Sequence, residues 1–267
     1  MLSLGGDSYT EGGFTSAALA TAGADKIWAM FGPVQSGSSA LRPFGSAVLD
    51  GFDFDFEANV QNMATFANEL RRAFPNDIPL LLANTDFTLG VMNAAGGKKY
   101  YLSAAPQCPF PDLYNKDIID NVPLDFLNVQ YYNNGCGASS YVPGATTQWN
   151  FNFNQWDTWA SSASKSNSTS FLSTRHTLAN DNFPPGKNPA VKVLLGVPAN
   201  TGAGRGYLTP SQLAPVIQFS AKYKSFGGVM MWDASQAYTN SGFISGVKST
   251  LRSLTRRAMR WGARADE

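Results

Sequence analysis

Short apolar, β-branched or aromatic runs alternate along the chain with longer stretches at helical spacing. Residues 1–4 predict a strand that ends at Gly5-Gly6. Residues 15–31 place Leu19, Ala22, Ile27 and Met30 at helical intervals. A strand over 47–56 precedes an amphipathic helix over 60–74, with Val60, Met63, Phe66, Ala67 and Leu70 on one face. Further strands are predicted at 99–104, 126–132, 191–197 and 228–232, with helices near 149–164, 210–223 and 242–254. Strand-then-helix repetition argues for an α/β fold, a parallel sheet with helices outside it. The pattern gives six strands and shows no linker, so one domain is expected.

Composition narrows the function classes. The chain has 267 residues with 20 Lys+Arg and 19 Asp+Glu, a formal charge of +1 that points to neither nucleic acid nor an anionic membrane. Charged residues are 15% and aromatics 13%, the opposite of a disordered chain. One His and two Cys exclude a multi-His cage and a four-Cys zinc site. The longest apolar patch, 78–92, is broken by Pro79, Asn84, Asp86 and Gly90, too polar for a bilayer span. Met1 is followed by no basic and apolar leader, so no targeting segment is expected.

The informative segment is Asp50-Gly51-Phe52-Asp53-Phe54-Asp55-Phe56-Glu57. In a strand, alternate residues share a face. Asp53, Asp55 and Glu57 therefore point one way and the three phenylalanines the other. Same-face neighbours lie about 6–7 Å apart. Three carboxyls so close in a largely buried sheet cannot all ionise without cost, which suits an acid kept protonated near neutral pH. The alternatives are an edge strand with one wet face and a metal site. A straight strand spreads its carboxylates along a line, so no metal is expected.

This run resembles the D-x-x-D-x-D-x-E signature on the fourth barrel strand of glycoside hydrolase family 18, and its context resembles the class III, plant and fungal type chitinases. Ser3-Leu4-Gly5-Gly6 is similar to the family's third strand, residues 101–108 to the fifth, 128–134 to the sixth, 195–199 to the seventh and 227–233 to the eighth. The resemblance implies a (β/α)8 TIM barrel, N-terminally incomplete, whose six strands correspond to strands three to eight. It assigns residues 1–251 to a catalytic domain with an atypical insert near 77–97, followed by a basic tail over 252–267. A fragment or misplaced exon boundaries would explain these departures. Unpaired outer strands would then bring low stability or aggregation, and weak turnover.

By resemblance, the activity is retaining, substrate-assisted hydrolysis of β-1,4-linked N-acetylglucosamine polymers, with chitin or its oligomers as the partner and no cofactor. Glu57 is matched to the proton donor, Asp55 to the residue that holds the substrate acetamido group, and Asp53 to a proton-sharing neighbour. Tyr132 is matched to the tyrosine that orients the acetamido carbonyl, and Trp232 to the floor of the central sugar subsite. Gln130 shares the Tyr132 face, and Gln107 and Asn133 are further cleft candidates. A Cys108–Cys136 bridge is implied, with two free thiols as the alternative. A bridge implies an extracellular protein, for which Asn167-Ser168-Thr169 is a glycosylation sequon. His176 reads as a surface residue. A monomer is expected.

Two other functions fit the resemblance: an endo-β-N-acetylglucosaminidase acting on N-linked glycans, and a catalytically silent sugar-binding or inhibitor relative. Retention of Glu57, Asp55 and Tyr132 argues against the silent relative. No G-x-S-x-G elbow or phosphate-binding loop is present. In the tail, Arg252, Arg256, Arg260 and Arg264 are spaced by four, either a solvated end or a site for an anionic partner.

Overall fold

The computed structural model describes residues 1–73, 98–162 and 187–265, with side chains as far as Leu254. The 77–97 insert, His176 and the Asn167 sequon lie outside the described residues. The chain forms two compact units, one of Met1–Ala104 with Leu113–Asp125, the other of Ala105–Asp112 with Phe126–Glu267.

The first unit runs β1 (Leu2–Gly6), α1 (Ala17–Phe31), β2 (Gly51–Phe56), α2 (Met63–Ala73), β3 (Tyr101–Ala104) and α3 (Lys116–Asn121). Its strands pair in parallel, β2 between the other two, with Ser3 opposite Asp53 and Asp53 opposite Ser103. β1 does not stop before its glycines as expected. It runs through Gly6, and Gly5 has φ 115° where a Cβ would lie 2.1 Å from the Asp55 carbonyl oxygen. Only glycine permits that approach of β1 to β2. α1 starts where the Ser16 hydroxyl accepts from Leu19 N–H at 3.2 Å. α2 begins at Met63, three residues later than the periodicity suggests. Gln61 bridges Gly13, and Asn62 sits at φ 58°. Phe66, Ala67 and Leu70 of α2 are buried.

The second unit runs β4 (Phe126–Gln130), α4 (Phe153–Ser162), β5 (Lys192–Pro198), α5 (Pro210–Ser220), β6 (Phe226–Trp232), α6 (Ala234–Thr239) and α7 (Phe243–Ala265). β5 pairs in parallel with β4 and with β6. Its core residues Val193, Leu195 and Val197 are buried, as expected of a central parallel strand. A capping box at Thr209 and Gln212, followed by Pro210, sets the start of α5. α7 packs on α5 and α6 and stays helical through Ala265, so the arginine-rich stretch continues a helix. The short helices α3 and α6 were not anticipated. At six residues each, they are too brief to show a period.

Candidate active site

The two faces of β2 separate as alternation requires. Phe52, Phe54 and Phe56 are 1%, 0% and 2% exposed, whereas Asp53, Asp55 and Glu57 are intermediate. The rings pack against Tyr9 and Phe66: Phe56 lies 5.7 Å from Tyr9, and Phe54 lies 6.2 Å from Phe66. The apolar face is thereby fixed under the helices, and it holds the acids on the opposite face.

Asp53 is tethered from both sides. Ser3 Oγ on β1 donates to Oδ2 at 2.8 Å, and Ser103 Oγ on β3 donates to Oδ1 at 2.5 Å. The parallel register puts Ser3, Asp53 and Ser103 in one row, so flanking strands fix the first carboxyl of the strip. The end of β2, just before Glu57, is held differently. The β2–β3 register stops at Phe54 opposite Ala104. Beyond it, the buried Asn115 amide takes the place of a strand: Nδ2 donates to Phe56 O at 2.9 Å, and Oδ1 accepts from Phe56 N–H at 3.4 Å. Asn115 was missed in the sequence. Its only signal there is an amide just before a short helix, which is ordinary loop chemistry.

In the second unit, Tyr131 and Tyr132 follow β4. Tyr131 is fully buried against Phe151 and Phe153, with ring centroids at 5.1 and 6.0 Å. Burial pushes its hydroxyl well above the usual tyrosine range. Tyr132 is 5% exposed. Gln130 Nε2 donates to Ala105 O at 2.9 Å, and Gln130 bridges Gln107 through the backbone. Gln107 Oε1 accepts from Asn134 Nδ2 at 3.2 Å. Asn133, at φ 61°, turns its Oδ1 to Arg205 N–H at 2.8 Å, which anchors the loop after β5. Three of the expected cleft amides thus also tie loops together.

Trp232 closes β6 opposite Pro198 and is 47% exposed, so it stays open to solvent. The next residue, Asp233, caps α6 by accepting from Gln236 N–H at 3.1 Å. A hydrogen bond from Ser235 and the Gln236 cap hold its carboxyl below the usual range. Cys108 and Cys136 form a disulfide, with Cα atoms 5.9 Å apart. Among the described residues, no group of three or more His, Cys, Asp or Glu could hold a metal ion, and no helix is long and apolar enough to cross a membrane.

Strands alternate with helices in an α/β fold, in which acids lie at the end of β2 and aromatics at the ends of β4 and β6. Residues 1–212 match the model for glycosyl hydrolases family 18, and the chain belongs to that family. It is 48% identical to Endochitinase 33 of Trichoderma harzianum over 252 residues, 94% of this chain and 66% of that protein. It is 44% identical to a class III chitinase of Arthroderma benhamiae over 97% of this chain and 68% of that one. The chain therefore spans about two thirds of the length of these relatives. Among solved structures, the xylanase and alpha-amylase inhibitor protein XAIP-II of Scadoxus multiflorus matches with TM-score 0.62 and 27% identity, over 93% of this chain and 73% of that one. ICChI chitinase of Ipomoea carnea matches with TM-score 0.59 and 26% identity, over 93% of this chain and 72% of that one.

Proposed function

We propose that this chain hydrolyses β-1,4-linked N-acetylglucosamine polymers with retention, using the substrate's own acetamido group as nucleophile. The observation that carries the reading is the acid face of β2, with Asp53, Asp55 and Glu57 in one row opposite a buried phenylalanine face. The relatives named endochitinase and class III chitinase support the choice of substrate.

The acetamido oxygen attacks the anomeric carbon while Glu57 gives its proton to the departing glycosidic oxygen. An oxazolinium-type intermediate forms and the C–O bond breaks. Water then attacks the same carbon, Glu57 takes its proton, and the acetamido group is released. Asp55 accepts from the acetamido N–H and offsets the positive charge of the intermediate. Asp53, held by Ser3 and Ser103, shares a proton with Asp55. Tyr132 orients the acetamido carbonyl, and the exposed Trp232 indole lies under a sugar ring. Gln130, Gln107 and Asn133 shape the surrounding loops. The disulfide supports an extracellular setting, and residues 1–251 are assigned as the catalytic region.

The test is a pair of substitutions assayed on soluble chito-oligosaccharides. Glu57→Gln should reduce turnover by about 10²-fold or more while oligomer binding survives. Asp55→Ala should lower turnover by a comparable factor, although Asp55 donates no proton to the leaving group. Substantial activity in Glu57→Gln would overturn the assignment. Cleavage of an N-linked glycan core by the unaltered chain, with no cleavage of chito-oligosaccharides, would replace chitin as the substrate.

A further inference from the structure

The loop between β4 and α4 carries an indole held in solvent. Trp149 is 90% exposed. An apolar side chain of this size is ordinarily drawn into the core, since burying it stabilises a fold by a few kcal/mol. Here the backbone on both sides is fixed. Immediately before it, Gln148 clamps Val142: its Oε1 accepts from Val142 N–H at 2.8 Å and its Nε2 donates to Val142 O at 2.8 Å. Two residues after it, Phe151 is fully buried, with ring centroids 5.1 Å from Tyr131 and 6.1 Å from Phe219. Asn152 Nδ2 then donates to Cys108 O at 2.8 Å. To fold inward, Trp149 would have to break the Gln148 clamp or lift Phe151 out of the core.

The composition of the chain flanking the ring is a second, independent observation. From Phe126 to Trp156 the chain contains no Asp, Glu, Lys, Arg or His, in a protein where 15% of residues are charged. The exposed neighbours Thr146, Thr147 and Asn150 offer hydroxyl and amide groups. A nucleic acid would call for cations, and an anionic lipid surface for a basic, apolar helix. A flat apolar ring flanked along the chain by uncharged polar residues complements an uncharged pyranose, which has one apolar face and a hydroxyl and amide rim.

We propose that Trp149 and its clamped loop are an accessory stacking platform for an uncharged β-linked pyranose polymer, with chitin as the occupant. The choice of polymer rests on the hydrolytic reading above, but the readout is adsorption and not turnover. The experiment uses the full chain carrying Glu57→Gln, so that no polymer is consumed, and measures adsorption to particulate chitin. Adding Trp149→Ala should weaken adsorption about three- to tenfold, and Trp149→Tyr should keep most of it. The thermal midpoint should not move, because the ring is solvent-exposed. Adsorption unchanged by Trp149→Ala would overturn the platform. So would Trp149→Tyr as weak as alanine, or a midpoint that falls together with adsorption. Trp149-dependent adsorption by a chain that, with Glu57 intact, cleaves no chito-oligosaccharide would refute the hydrolytic reading and uphold the platform.

Discussion

Tyr131 and Tyr132 are adjacent and chemically identical, and the function proposed above gives them different roles. The Tyr131 hydroxyl is buried with no hydrogen-bond partner among the described residues. Its raised pKa keeps it neutral below the usual tyrosine range, so it adds no pH dependence there. Deleting an unsatisfied buried hydroxyl removes a desolvation cost. Tyr131→Phe should therefore leave stability unchanged or raise it by about 1 kcal/mol, as measured by urea unfolding. A loss of that size would mean the hydroxyl is satisfied. Tyr132→Phe should instead lower kcat on chito-oligosaccharides by about 10²-fold, since its hydroxyl is assigned to the reacting acetamido group. Wild-type kcat in Tyr132→Phe would remove that role. The doublet was visible in the sequence, and strand alternation says only that the two differ. Which one faces the rings was set by Phe151 and Phe153, 20 and 22 residues further along the chain than Tyr131.

Among the elements, β2 was the most legible because its period of two is written in strong contrasts of Asp and Phe. Its boundaries were less so. The strand starts at Gly51 and not at residue 47, since Ala47 and Leu49 bond back to Phe44 and Phe31 at 3.1 and 3.0 Å. Its far end depends on Asn115, a positioning residue that satisfies both backbone groups of Phe56. Asn115→Ala should destabilise the protein by about 1–3 kcal/mol, because the buried Phe56 groups lose their partner. It should also lower kcat more than it raises KM, because the backbone leading into Glu57 is loosened. Asn115→Asp, which buries a carboxylate oxygen against the Phe56 carbonyl, should destabilise at least as much as alanine. Equal unfolding midpoints for Asn115→Ala and the parent would show that Asn115 does not hold this strand end.

At the scale of the whole molecule, a single covalent bond ties the start of the second unit to the loop after β4. The Cys108–Cys136 disulfide closes a separation of 28 residues. A loop of that size restricts the unfolded chain by about 3–4 kcal/mol in the chain-entropy picture. Replacing both cysteines with alanine should lower unfolding free energy by up to about that amount. The denaturant midpoint should fall on reduction of the parent and not respond to reductant in the double variant. A parent unmoved by reductant would mean that the bond contributes nothing to stability. The same bond holds Cys108, whose carbonyl accepts from Trp156 Nε1 at 3.1 Å and from Asn152 Nδ2, so its loss also loosens the stem of Trp149.

By itself, the sequence determined what is local and periodic. It set the order of the strands and of the longer helices, the acidic and aromatic faces of β2, and the family whose motif that strip resembles. These follow from side-chain spacing along one element, which needs no knowledge of neighbours. Tertiary structure decided what requires two distant segments to meet. It placed the Ser3 and Ser103 hydroxyls on Asp53, put Asn115 where a strand partner is missing, and sent Tyr131 inward. It also left Trp149 outside, between a glutamine clamp and a buried phenylalanine. Hydrogen bonds and burial between remote residues leave no period in the chain, so the fold alone reveals them.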